Sequence, residues 1–366
     1  MEVATEVEQP RNGQATPEEA IIGEDPKRLR ATNDDEGGTV HEETDEDEED
    51  WGEGISYLDS YRQDWERLYG KTGSFEDETK IPNMVLTDGP ELPLTTYPMD
   101  LLQIFSVKVM EIKGALQWPL NIYGHVAERD SLDHNRIYDS SLKLTGPSRA
   151  IALIDPVIFE LDLKVKSKGP PFECEDKILS YHAFCYHNII YRHDTGFETK
   201  QVESTEHSTL EFMFAHLKQA VEATIHIRVE EGSSNFKACV ATVTTGIDEE
   251  VVLLDSLDRK VVVDENGSVT FQRRVVVVEE KSMLIVSVEA IDGDGSESIV
   301  KKMNFRPRIA LRSKAFFKFG FCKLSVVVAW SLVHFIILMQ LMHRRNSILL
   351  IHNGFIQIYG QKLMLT

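Results

Sequence analysis

Val157-Ile158-Phe159-Glu160-Leu161-Asp162-Leu163-Lys164-Val165 sets an apolar residue at every odd position and a charged one at 160, 162 and 164. A helix would scatter the odd-numbered side chains around its circumference, whereas a strand gathers them on one face. The stretch predicts a strand with Val157, Phe159, Leu161, Leu163 and Val165 inside, and Glu160, Asp162, Lys164 and Lys166 in water. The pattern recurs on both sides. Phe105, Val107 and Val109 alternate with Ser106 and Lys108. Val221, Ala223, Ile225, Ile227 and Val229 alternate with Glu222, Thr224, His226, Arg228 and Glu230, as do Leu284, Val286 and Val288 with Ser287 and Glu289. Glu265-Asn266-Gly267 and Asp292-Gly293-Asp294-Gly295 are hairpin signals between such runs. One dry face per strand, frequent turns and few helical stretches predict a mainly β fold, an antiparallel two-layer sandwich with one core over residues 101–332.

The flanks read differently. Residues 1–50 carry 18 acidic against 4 basic residues, ending in Glu42-Glu43-Thr44-Asp45-Glu46-Asp47-Glu48-Glu49-Asp50. Such a segment buries too little apolar surface to offset chain entropy, which predicts a disordered acidic arm that aids solubility or recruits basic partners. Within residues 51–100, Leu58, Tyr61, Trp65, Leu68 and Tyr69 recur at helical spacing before Gly70, a C-terminal cap candidate. This predicts one short amphipathic helix packed on the body. Ile81-Pro82-Asn83-Met84 and prolines 90, 93 and 98 then predict an extended linker. Leu324 to Met342 is a 19-residue run without formal charge, followed by His343-Arg344-Arg345. A membrane-spanning tail and a last core strand compete for it. Alternation of Leu324, Val326, Val328 and Trp330, with Ser325, Ser331, His334 and Gln340 interspersed, favours the strand, leaving residues 333–366 as an apolar tail outside the domain.

The formal charge is -21, and beyond residue 50 the chain holds 42 acidic against 35 basic residues. With no basic stripe interleaved with aromatics, the body is not expected to bind nucleic acid. Cys174, Cys185, Cys239 and Cys322 lie far apart, and the chain begins with neither a basic nor an apolar leader. Free thiols in a reducing cytoplasm or nucleus are expected.

Asp292-Gly293-Asp294-Gly295-Ser296-Glu297 resembles a calcium loop in composition, but an EF-hand needs Gly sixth and Glu twelfth, where this chain has Glu297 and Met303. His182, Cys185, His187 and His193 form the densest His/Cys group, yet on a strand Cys185 and His187 share a face that His182 does not. Nucleophile elbow, zinc-protease helix, P-loop and dinucleotide fingerprint are missing from the sequence. No catalytic, cofactor-binding or metal-ligating residue is assigned, and an enzyme is not expected.

Several ordered motifs resemble one family. Leu102-Gln103-Ile104-Phe105-Ser106-Val107-Lys108-Val109 is followed by Leu116-Gln117-Trp118-Pro119-Leu120 and Gly124-His125-Val126-Ala127-Glu128-Arg129-Asp130. Then come Leu144-Thr145-Gly146-Pro147-Ser148-Arg149-Ala150, Asp155-Pro156-Val157-Ile158-Phe159-Glu160, Val221-Glu222-Ala223-Thr224-Ile225, Leu253-Leu254-Asp255-Ser256 and Val328-Ala329-Trp330-Ser331-Leu332. With Tyr61, Trp65, Tyr69-Gly70 and Ile81-Pro82 upstream, they resemble a grass-expanded plant family, the domain of unknown function 6598. Residues 134–142 look shortened against that family, and the tail from Val333 looks foreign to it. The resemblance implies similarity to the C-terminal part of a jasmonate-induced cereal ribosome-inactivating protein, whose N-terminal part is the rRNA N-glycosidase. That activity uses Glu-Ala-x-x-Arg or a near relative to stabilise an oxocarbenium ion and the adenine leaving group. Glu19-Ala20, Glu222-Ala223 and Glu289-Ala290 are the Glu-Ala pairs of this chain, and none has Arg third or fourth after the Glu. The expectation is a non-catalytic intracellular interaction module with an unknown protein partner, stress- or defence-associated by family. The alternatives are a degenerate ribosome-inactivating protein and a membrane-tethered module.

Overall fold

The long strand β9 (Ser208–Gly232) runs through two sandwiches and gives the architecture its spine. In the computed structural model, which describes residues 6–7, 56–88, 92, 96–139, 147–166, 176–187, 195–293 and 295–333, β9 is the centre of a seven-stranded sheet. Its neighbours there are β2 (Met99–Ile112) with the short β5 (Ile151–Ala152), β8 (Phe197–Ser204), β12 (Val275–Glu279), and β16 (Cys322–Ser331) with edge strand β15 (Arg312–Lys318). A four-stranded sheet holds β4 (Ile137–Asp139), β3 (Ile122–Arg129), β6 (Val157–Val165) and β7 (Lys177–Tyr186) in that order. A five-stranded sheet holds β1 (Glu6–Val7), β14 (Ser298–Phe305), β13 (Leu284–Asp292), β10 (Phe236–Thr244) and β11 (Val251–Ser256). Every strand pair between them is antiparallel.

The fold is mainly β, as the alternation predicts, but the apolar interior divides. Leu210, Phe212 and Phe214 of β9 pack with Phe159, Leu161 and Leu163 of β6 in one core. Ile225 and Ile227, further along the same strand, pack with Val286, Val288, Val326 and Trp330 in another. In the first, the rings of Phe159 and Phe184 stack at 4.6 Å, and Tyr186 meets Phe214 edge-on at 4.9 Å. Such pairs add roughly 0.5–1.5 kcal/mol each beyond area burial. Between the two cores β9 bends at Gln219, whose φ of 43° lies in the left-handed region, and there Ala215, Leu217 and Ala220 join Leu101, Leu132 and Val277 in a third, smaller cluster. Asp100 holds that bend: its carboxylate accepts from Lys218 Nζ at 2.7 Å, from His216 Nε2 at 3.0 Å and from the Gln219 backbone N–H at 3.4 Å.

The C-terminal run resolves in favour of a strand. Leu324, Val326, Val328 and Trp330 are buried in β16, which pairs with both β15 and β9. Among the described residues, no helix is long and apolar enough to cross a membrane. Residues 334–366 lie outside the described residues, as do residues 8–50 of the acidic arm.

The expected helix is α1 (Tyr57–Tyr69). Ser56 caps it, its Oγ accepting the Asp59 N–H at 3.1 Å, and Gly70 closes it with its own N–H on the Glu66 carbonyl. Leu58 and Trp65 are buried, while Leu68 on the far face is exposed. The stretch after the helix, read as an extended linker, is tied to the large sheet. Asn83 Nδ2 donates to Thr224 Oγ1, the Leu86 N–H to Ser331 Oγ, and Thr87 Oγ1 to the Trp330 carbonyl.

Candidate functional site

Two sheet faces expected in water are covered, and both carry charged side chains. On the four-stranded sheet, the register sets Ala127 opposite Glu160 and Arg129 opposite Ile158, so Arg129 and Glu160 share the side that points away from the phenylalanine core. α1 and the turn after it lie over this side, where Leu58, Trp65 and Phe75 pack with Ala183. Glu160, read from the sequence as solvated, is 1 % exposed. Its Oε2 accepts from Arg129 Nε at 3.0 Å, Arg129 Nη2 at 2.8 Å and Arg136 Nε at 3.2 Å. Its Oε1 accepts from His125 Nε2 at 3.0 Å and from Arg136 Nη2.

Burial by itself would raise the pKa of Glu160. The hydrogen bonds from His125 and Arg136 and the charges of both guanidiniums outweigh it and hold the carboxyl well below the usual range. The arginines are satisfied elsewhere too. Arg129 donates to the His134 carbonyl at 3.0 Å and the Phe75 carbonyl at 2.7 Å, and its guanidinium lies 3.9 Å from the Phe75 ring centroid. Arg136 also pairs with Glu76. Trp65 Nε1 donates to the same His134 carbonyl at 2.9 Å, so helix and charge cluster share an acceptor. The arrangement fixes α1 to the sheet by paired charge, cation–π contact and apolar burial together.

A second cluster sits where the segment after α1 crosses β9. Arg149, 2 % exposed, grips Asp130 with two parallel bonds of 2.6 and 2.8 Å, and its Nε donates to Thr79 Oγ1 at 3.2 Å. Asp130 further accepts the N–H groups of Leu132 and Ala152. Nearby Glu222, also expected in water, is 4 % exposed, and its two oxygens accept the backbone N–H groups of Met84 and Ala150, each at 2.8 Å. Burial raises its pKa against those bonds and the Arg149 charge. Leu132, Arg149, Ala150, Glu222 and Ser331 line a cavity of about 20 Å³, room for about one water.

The remaining sequence candidates do not converge. His182 stands opposite Leu161, on the core side, and meets Glu203 Oε2 at 3.0 Å. Cys185 stands opposite Ile158 on the other side, 3.1 Å from His187 Nε2, and His193 lies outside the described residues. Among the described residues no three His, Cys, Asp or Glu side chains are grouped as a metal would need. Asp292 serves a turn, accepting the Gly293 N–H at 2.8 Å, and Asp294 lies outside the described residues. Cys185, Cys239 and Cys322 are free thiols, and burial pushes each up to about 11.

His125, Arg129 and Asp130 come from one motif of the family resemblance, Arg149 and Ala150 from a second, Glu160 from a third and Glu222 from a fourth. Tyr61 and Trp65 belong to the lead-in. The motifs thus meet in these two clusters. The sequence profile described as "Domain of unknown function (DUF6598)" matches residues 101–328. The chain belongs to the DUF6598 family. No curated protein matches this DUF6598 chain. Two solved structures resemble it faintly. Human GIVD cytosolic phospholipase A2 has 8% identity and a TM-score of 0.22 over 64% of this chain and 33% of its own. The same human enzyme in complex with methyl gamma-linolenyl fluorophosphonate has 10% identity and a TM-score of 0.21 over 63% and 32%. The DUF6598 chain spans about a third of those proteins, and a likeness at this level carries no argument about fold or chemistry.

Proposed function

We propose that this protein is a non-catalytic interaction module acting inside the cell. One observation carries the reading: the charged side chains that its family motifs bring together are engaged by one another, by backbone groups and by α1. A general acid, base or nucleophile has to face a space that admits substrate. Glu160 faces Arg129, Arg136 and His125 beneath Phe75, and Glu222 faces two backbone N–H groups beside a cavity of about 20 Å³. The motif residues act as internal fasteners of a scaffold whose exposed faces and edges are left for recognition.

The test pairs a binding measurement with an activity measurement. Chemical cross-linking of the full chain in its native extract is expected to trap discrete partner complexes, and ribosomes incubated with it are expected to release no adenine above background. Adenine release that disappears in Glu222→Gln, with the melting temperature unchanged, would overturn the reading. So would the absence of any cross-linked partner above a scrambled control.

A further inference from the structure

His226 stands on the outer face of the large sheet, opposite the side on which Ile225 and Ile227 enter the core. Register fixes its neighbours, because residues directly opposite in paired strands share a face. Thr224 of β9, Ala329 of β16 and Arg312 of β15 form one row, His226, Val327 and Lys314 the next, and Arg228, Ser325 and Phe316 a third. Ala329, Val327 and Ser325 thus floor a trough, with the β9 side chains along one wall and the β15 side chains along the other, about 10 Å away. Beyond β9 the start of β12 brings in Arg274, whose carbonyl accepts the Ile225 N–H at 2.8 Å. Arg228, Arg274, Arg312 and Lys314 are exposed, and His226 is half-buried.

In a protein of net charge -21 this face carries an excess of cations. Burial, and then the charges of Arg274 and Arg312, hold the His226 imidazole below its ordinary range. Two carboxylates reach the same rows. Glu230 meets Lys314 at 3.4 Å, where the charge of Arg228 also acts on it, and Asp88 pairs with Arg312. Among the described residues neither Arg228 nor Arg274 stands in an ion pair. Four cationic side chains against two carboxylates leave two positive charges uncompensated around the imidazole. Guanidinium forks match phosphate oxygens two at a time, and a phosphate monoester brings close to two negative charges where a carboxylate brings one.

We propose that this face docks a phosphoserine or phosphothreonine of a partner protein, with Arg228 and Arg274 on one side of the phosphate, Arg312 and Lys314 on the other, and His226 beneath it. The inference rests on the interaction-module reading and names the chemistry of the partner. Phosphorylated segments are commonly read by clustered arginines, which neutralise the added charge and fix the orientation of its oxygens. A long polyanion fits less well, because Asp88 lies beside the first row and Glu230 beside the third, so the positive field ends within the span of one phosphate group and its neighbours.

The test uses a fluorescein-labelled glycine–alanine peptide carrying one phosphoserine, read by anisotropy against the full chain. It is expected to bind about tenfold or more tighter than the same peptide with plain serine, and inorganic phosphate is expected to displace it, since the recognised group is shared. Arg228→Gln/Arg274→Gln is expected to weaken binding about tenfold, while Lys71→Gln/Lys260→Gln, with the same change in net charge, leaves it within about twofold. Unchanged melting temperatures in both variants exclude unfolding as the cause. The imidazole signal of His226, identified by its loss from the NMR spectrum of His226→Gln, is expected to titrate at higher pH with the peptide bound, because a nearby dianion favours the imidazolium. Equal losses in the two double variants, a His226 titration that does not move, equal binding of the unmodified peptide, or binding to phosphatidylinositol phosphate vesicles without binding to the phosphopeptide would each overturn the proposal. Should Arg228→Gln/Arg274→Gln keep every cross-linked partner of the native chain, the phosphate site fails while the interaction module stands; enzymatic turnover would remove the module itself.

Discussion

Replacing Glu160 by Ala removes one carboxylate from between two buried guanidiniums. Arg129 and Arg136 together make four hydrogen bonds to it and His125 a fifth. Removing one member of a buried pair costs about 3–5 kcal/mol, because the remaining charge keeps its desolvation penalty without its partner. Here Arg129 retains the His134 and Phe75 carbonyls, and Arg136 retains Glu76, which is about half exposed. The loss should fall near the middle of that range, about 4 kcal/mol, or a drop in melting temperature of about 8–16 °C for a fold of this size. Differential scanning calorimetry on the full chain measures it. The matching variant Glu160→Leu/Arg129→Met/Arg136→Met removes all three charges and refills their volume, and it should recover all but about 2 kcal/mol. A fall of less than about 3 °C for Glu160→Ala, or a triple variant less stable than the single one, would refute the claim that paired charge fixes α1 to the sheet.

Acid should unfold the protein through carboxylates held below their ordinary range. Burial would raise the pKa of Asp100, but bonds from His216 and Lys218 lower it to about 2. An unfolded Asp titrates near about 3.9, so this stabilisation is complete above about pH 4 and fades as pH falls towards 2. Asp100→Asn should flatten that limb of a pH–stability curve measured by circular dichroism, and an unchanged limb would count against the assignment. Trp65→Ala should cost about 3–5 kcal/mol and speed tryptic cleavage at Arg67 and Lys71, because the ring fills the helix–sheet contact and its N–H bonds the His134 carbonyl. Equal cleavage rates in the two proteins would argue that α1 is held by something else. Gly124 has φ of 122°, and a Cβ there would run into the Asp162 carbonyl oxygen of the neighbouring strand. Gly124→Ala should therefore lose at least about 1–3 kcal/mol in a urea titration, and a neutral result would mean that β3 pairs differently with β6.

Period-two alternation was legible in most half-buried strands, but in β2 a register shift between Ile104 and Ser106 breaks it, so that Val107 and Val109 pack in the phenylalanine core and Phe105, read as sharing their face, packs elsewhere. In β6, β13 and β16 the residues read as inward are buried. The first half of β9 escaped that reading because Leu210 to Leu217 is buried on both sides over most of its length and so has no alternation to read.

By itself the sequence determined which side of each half-buried strand is dry, because alternation is a local property written into neighbouring residues. It could not determine which wet-looking side would be covered. Glu160 and Glu222 carry the pattern of solvated residues, and each is buried by a segment far away in the chain: the turn at Phe75 over the first, the backbone of Met84 and Ala150 over the second. A carboxylate opposite a guanidinium can leave water at tolerable cost, and whether it meets one depends on how distant strands and turns pack, which no local period records.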